Sequence, residues 1–181
     1  MACVEAALDA GDVAALLIDG RAMEELAAEV VELVSMAQSK DVAALIADEA
    51  ELAARVSADG VQITADTQAY SAARSVLGSD TIIGVSAGHS RHAAMELAEQ
   101  GASYVTFEDA TNDEESLSAW WAHVMEIPCV VHVPASTGAV IAAVQTGIEF
   151  ICPDESIWAS PEAAARAVSE FNAAIAGATA E

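Results

Sequence analysis

The sequence predicts an α/β fold of the TIM-type (β/α)8 barrel class with seven readable strands and the first strand missing. Three observations carry this expectation. Short β-branched runs alternate with Ala-rich segments of helical spacing along the whole chain, clearest from Ala58 to Asp109. The runs begin at even intervals, each the length of one strand plus one helix, and that evenness favours a barrel over an open doubly wound sheet. No G-x-G-x-x-G follows the first run, which weakens the dinucleotide-binding version of the open sheet. The chain opens on helical spacing, so the strand short of eight is the first.

Each element has its own signal. Cys3–Ala10 reads as a helix stopped by Gly11. Val13–Ile18 is an apolar run, expected as a strand buried on both faces. Ala22–Gln38 places Met23, Leu26, Ala27, Val30, Val31 and Val34 at helical spacing with glutamates between. Val42–Ala47 is the next strand; Asp48 ends it and can cap the short helix Ala50–Val56. Gly60–Thr64 is a strand, Gln68–Leu77 a helix, Thr81–Val85 a strand, Ser90–Glu99 a helix and Ser103–Phe107 a strand. Glu108–Glu115 is an acidic loop. Leu117–Met125 is a helix whose Trp120 and Trp121 pack inward, one of them partly exposed. Pro128–Val133 is a strand, Thr137–Thr146 a helix and Glu149–Cys152 the last strand. Pro161 suits the first turn of a final helix.

Composition bounds the function. A formal charge of −23 on 181 residues, with Lys40 the sole lysine, leaves no basic patch to hold nucleic acid, anionic membranes or free phosphate. Apolar residues make up 54% and aromatic ones 4%, so the core is built from Ala, Val, Ile and Leu. Cys3, Cys129 and Cys152 are irregularly spaced without a C-x-x-C; Cys129 and Cys152 sit inside apolar runs and read as buried free thiols in a reducing compartment. No signal peptide is visible and no apolar run reaches membrane-spanning length, which makes the cytoplasm the expected location. With strand one missing, Val13–Ile18 and Glu149–Cys152 lack a neighbour, and apolar strand edges of that kind predict a homo-oligomer.

The strings A-D-G-V-Q-I, L-G-S-D-T-I-I-G-V-S and G-A-S-Y-V resemble the thiamine phosphate synthase family and its thiazole tautomerase relatives. The usual family pattern is a-D-G-V-H-L-G-Q, L-G-x-x-x-I-I-G-V-S-x-H-S and G-A-D-Y-V. E-I-P-C-V-V and T-G-I-E-F-I-C extend the likeness, which runs from about Ala7 to Phe171, and W-W-A-x-x-x-E-I-P-C is similar to a divergent bacterial branch. The resemblance implies one barrel domain over residues 1–181. It also implies a transferase of thiamine biosynthesis that joins a pyrimidine methyl diphosphate to a thiazole phosphate. That reaction requires Mg²⁺ on the diphosphate, cations beside it, and backbone N–H groups for the second phosphate.

The resemblance places one metal-binding carboxylate at Asp48 and a second at Thr67, with Asp66 one position earlier; Asp48 alternatively caps a helix. The family's cations after the second strand fall at Ile18 and Gly20, with Arg21 beside them, and its later lysine loop falls in Glu108–Glu115, which holds no lysine. Its paired glycines become Val133-Pro134, and proline has no N–H to offer. Its last phosphate contact becomes Asp154-Glu155, which repels a dianion. Ser86 either hydrogen-bonds a substrate or caps the next helix. His132 reads as a buried core histidine, and Ser86 with His89 or His92 lacks the G-x-S-x-G elbow of a hydrolase. A site at the strand C-terminal ends would draw on Asp48, Thr64, Ser86, Glu108, His132 and Asp154, and a generic metal site on Asp48, Asp66, Glu108, Asp109 and Asp154. Three functions follow: a synthase with impaired activity, a non-catalytic barrel that binds a small ligand or a protein partner, or a generic metal-dependent lyase or isomerase that uses those carboxylates.

Overall fold

The computed structural model describes residues 1–20, 27–108 and 116–179. In chain order the first elements are α1 (Ala2–Ala10), β1 (Ala15–Asp19), α2 (Ala27–Gln38), β2 (Ala43–Ala47), α3 (Ala50–Val56) and β3 (Gly60–Thr64). Then come α4 (Thr67–Leu77), β4 (Ile82–Gly88), α5 (Arg91–Glu99), β5 (Tyr104–Phe107), α6 (Leu117–Val124) and β6 (Cys129–Val133). The chain closes with α7 (Thr137–Gln145), β7 (Phe150–Pro153), a 3-10 turn (Glu155–Ala159) and α8 (Pro161–Ala178). All seven expected strands are present among the described residues. Arg21 and the start of the expected Ala22–Gln38 helix lie outside those residues, as does 109–115 with Asp109.

The chain divides into two compact units. One spans Val13–Tyr104. Its strands β1 to β4 pair in parallel, with Leu17 opposite Leu45, Ala47 opposite Gln62, and Gln62 opposite Gly84. Parallel pairing between consecutive strands requires a helical crossover, and α2, α3 and α4 supply them. Alternate residues Leu16, Ile18, Ala44, Ile46, Val61, Ile63, Ile83 and Val85 form the buried face. The opposite face is more open. β1 in particular is not buried on both sides as its apolar run predicts: Leu16 and Ile18 are buried, but Leu17 is 38% exposed. An apolar run fixes a strand but does not count its neighbours, and β1 pairs on one side only within this unit.

The other unit comprises Met1–Asp12 and Val105–Glu181. Here β5, β6 and β7 pair in parallel, Val131 standing between Phe107 and Ile151. Val105, Phe107, Cys129, Val131 and Val133 form the buried face, against which Trp121 of α6 is wholly enclosed. The Trp121 and Phe107 rings lie 5.6 Å apart and tilted, and the Trp121 Nε1–H donates to the Ile127 carbonyl at 2.7 Å. That bond removes the cost of burying an indole N–H. Trp120 is the half-exposed one of the pair, as expected. The Asn172 side chain of α8 accepts from the Asp12 amide at 2.9 Å and donates to its carbonyl at 3.2 Å, so the chain after α1 is held against α8.

Helix starts follow the capping residues in the sequence. Asp66, Ser90, Ser116, Ser136 and Ser160 each accept from the backbone N–H three residues on, and Pro161 sits in the first turn of α8. Asp48 does not cap α3. The residue preceding that helix is Glu49, with no side-chain cap bond.

Candidate functional site

Within the unit spanning Val13–Tyr104, strand ends gather Asp48, Thr64 and Ser86. Asp48 follows β2 with φ 57, in the left-handed region that asparagine and aspartate tolerate better than most residues. Its amide donates to the Gln62 carbonyl at 2.8 Å. Its Oδ1 accepts from the Thr64 amide at 3.0 Å and from the Thr64 hydroxyl at 3.4 Å. Thr64 in turn stands opposite Ser86, and the Ser86 carbonyl accepts from the Ala65 amide at 2.9 Å. The expected alternatives of a cap for Asp48 and for Ser86 both give way. Asp48 joins β2 to β3, while Ser86 lies inside β4, which runs on to Gly88, and Ser90 caps the following helix.

Asp66 is the helix cap instead, its Oδ1 accepting from the Ala69 amide at 2.8 Å. Among the described residues no cluster of three or more His, Cys, Asp or Glu side chains forms that could enclose a metal.

One layer into the same face, Gln62 stands opposite Gly84. The Tyr104 ring lies over that glycine, so that a Cβ there would come within 2.0 Å of the ring. The Tyr104 hydroxyl donates to Gln62 Oε1 at 3.0 Å. That bond fixes which end of the Gln62 amide meets Tyr104. The sequence held a signal for Gln62, a polar residue alternating with Val61 and Ile63 in a strand. It held none for its partnership with Tyr104, 42 residues away.

Arg91 opens α5 just after β4. Arg74 lies at the other end of the strands, in the connection that leads into β4: it donates to the carbonyls of Gly78, Ser79 and Thr81 at 2.9, 3.2 and 2.9 Å, and to the Tyr70 hydroxyl at 3.1 Å.

Within the other unit, Asp154 follows β7 and reaches back to the loop after β6. Its Oδ2 accepts from the Ala135 amide at 3.1 Å and its Oδ1 from the Ser156 amide at 2.9 Å. The Ser156 hydroxyl and these amides hold the Asp154 carboxyl below its ordinary value, which keeps it charged.

His132 is exposed, not the buried core histidine expected. Pleat parity explains the difference: Cys129, Val131 and Val133 take the buried face, and Val130 and His132 take the other. Cys152, opposite His132, is half-buried rather than buried, and burial pushes its thiol up. Glu108, at the end of β5, is exposed.

The model of the family described as thiamine monophosphate synthase matches residues 1–157. The chain belongs to that family. It is 36% identical over 183 residues to a thiamine-phosphate synthase of Rhodospirillum centenum, covering 95% of this chain and 88% of the relative. It is also 36% identical to a thiamine-phosphate synthase of Hyphomonas neptunium, over 94% and 84% of the two chains. Among solved structures it superposes on a thiamine phosphate pyrophosphorylase from Pyrococcus furiosus with a TM-score of 0.81 at 20% identity, covering 97% and 89% of the two chains. That likeness shows the fold, α/β of the TIM type. Parallel folds of this type build their sites at the C-terminal ends of the strands; in one unit of this family member Asp48 and Thr64 stand at such ends, and in the other unit His132 and Asp154 do. Among the described residues no helix is long and apolar enough to cross a membrane.

Proposed function

We propose that this chain is a thiamine-phosphate synthase of lowered activity, a transferase that joins a pyrimidine methyl diphosphate to a thiazole phosphate. The family match and the 36% identical relatives support the reaction. The observation that carries the reading of lowered activity is Asp154, whose carboxylate takes up the Ala135 and Ser156 N–H groups at the end of β6 and β7. A phosphate seeking those donors meets a like charge.

Asp48 suits a Mg²⁺ carried in on the diphosphate, since such a cation keeps several waters and takes only one or two carboxylates; Asp66 is the second candidate, with one oxygen already committed to capping α4. When bound, the cation neutralises the leaving diphosphate. Thr64 holds the Asp48 carboxylate in place. Ser86 and the Gln62 amide offer hydrogen bonds to the polar edge of the pyrimidine, and Tyr104 fixes the direction of that amide.

The scarcity of cations favours a second reading on the same fold, a non-catalytic protein that binds an uncharged or cationic small molecule or a protein partner. Both readings place the protein in the cytoplasm, as a homo-oligomer that binds neither nucleic acid nor membrane. Diphosphate release measured with both substrates and Mg²⁺ separates them. The synthase reading predicts slow release that needs both substrates and is lost in Asp48→Asn; no release above the blank supports the binding protein.

A further inference from the structure

The face of β5, β6 and β7 opposite Val131 carries polar chemistry that the synthase reading does not use. His132 and Cys152 are register partners on adjacent parallel strands, so their side chains leave the sheet on the same side. The strands lie roughly 4.8 Å apart. A cation bound to one thiolate at about 2.3 Å and one imidazole at about 2.0 Å separates sulfur from nitrogen by a comparable distance. His132 is exposed and Cys152 half-buried, so the pair is open on one side and sheltered on the other.

One layer further into the sheet, Thr106, Val130 and Phe150 stand in register on the same face. Thr106 is only 1% exposed, and its hydroxyl has no hydrogen-bond partner. Buried hydroxyls are otherwise satisfied by protein or by ordered water. Thr106 stands on β5, one layer from His132 and with β6 between it and the strand of Cys152, so it takes no part in the pair.

We propose that His132 and Cys152 form a binding site for a soft cation of low coordination number, with cuprous ion the best match. Sulfur and imidazole donors select soft metals. No third His, Cys, Asp or Glu joins the pair among the described residues, so a cation that demands four protein ligands is poorly served. Binding transfers the Cys152 thiol proton to solvent and uses the unprotonated nitrogen of His132, with no change of oxidation state. The Cys152 thiol lies 3.8 Å from the Pro153 carbonyl, a weak contact given up on binding; what sets Cys152 apart from the other two thiols is its histidine register partner. Cys129 is fully buried, and Cys3 lies beside the Trp158 carbonyl.

The test is an anaerobic titration of the full chain with Cu(I) against a coloured Cu(I) chelator, repeated on Cys152→Ser, His132→Ala and Cys3→Ser and again with Zn²⁺. One equivalent of Cu(I) is expected, weakened at least tenfold in Cys152→Ser and in His132→Ala, unchanged in Cys3→Ser, and bound more tightly than Zn²⁺. Unaltered Cu(I) affinity in either Cys152→Ser or His132→Ala overturns the proposal, as does Zn²⁺ binding at equal strength. His132 is exposed and Cys→Ser nearly isosteric, so both variants keep the fold. Circular dichroism verifies this, and synthase activity is not part of the readout.

Discussion

Gly84→Ala tests the packing that orients Gln62. An added Cβ would lie 2.0 Å from the Tyr104 ring, against at least 3.4 Å for an ordinary contact, a shortfall of about 1.4 Å. The close atoms are Cζ and both Cε, the hydroxyl-bearing end of a rigid ring, so the ring itself must move. Overpacking of this kind costs about 1–3 kcal/mol. A shift of that size also breaks the 3.0 Å bond from the Tyr104 hydroxyl to Gln62, about 1 kcal/mol more. Gly84→Ala is therefore expected to lose about 2–4 kcal/mol in urea unfolding, read from the midpoint at constant slope. In a Tyr104→Ala background the obstacle is gone, and the same change should cost less than about 1 kcal/mol, the difference being a coupling energy between the two sites. Equal losses in both backgrounds would show that Tyr104 does not occupy the space above Gly84, and the account of how Gln62 is oriented would fall.

Arg74→Met should cost about 2 kcal/mol in the same measurement, because one guanidinium serves three carbonyls of the α4–β4 connection and the Tyr70 hydroxyl; Arg74→Lys should recover little, lacking the planar fork. Asp154 has a depressed folded-state value. Its contribution to stability is thus complete above its ordinary 3.8 and fades as pH falls through the lower folded value. The stability gap between wild type and Asp154→Asn should close as pH is taken below 3.8, and a gap independent of pH would exclude a role for the charge. Light scattering should show self-association that strengthens with salt, since Leu17 and Phe150 are exposed on strands each paired on one side within its unit, while the −23 charge opposes contact until screened. A monomer at both low and high salt at tens of micromolar refutes it.

The strand–helix alternation was legible because each strand is a short apolar run and α4 to α8 each start on a residue whose side chain caps them; Gly60–Thr64 agrees at both ends. Faces were less legible. Leu17 and His132 lie in runs as apolar as their neighbours', and only the pairing of strands reveals which side of each is covered. Asp48 shows the limit most clearly. A sequence places an aspartate between a strand and a helix, where capping is its commonest use, but whether its carboxylate turns forward to the helix or sideways to Thr64 depends on a strand 16 residues on. The same holds for Asp154. Its charge was readable as hostile to phosphate, whereas its bond to Ala135 depends on β6 and β7 lying side by side. Asp66 was read as a metal ligand one place out of register, and its use as a cap explains why an aspartate stands there.

The most direct measurement is kcat/KM for the joining of pyrimidine diphosphate and thiazole phosphate, wild type against Asp154→Ser, with Mg²⁺ present. Asp154→Ser frees the Ala135 amide and removes a negative charge, while serine can still cap the following turn. The account predicts wild-type turnover below the ordinary range of about 1 to 10³ per second and a rise in kcat/KM of roughly tenfold in the variant, the order expected when a like charge near contact is removed from a partly wet site. Wild-type turnover within the ordinary range, or a variant no faster than wild type, contradicts it.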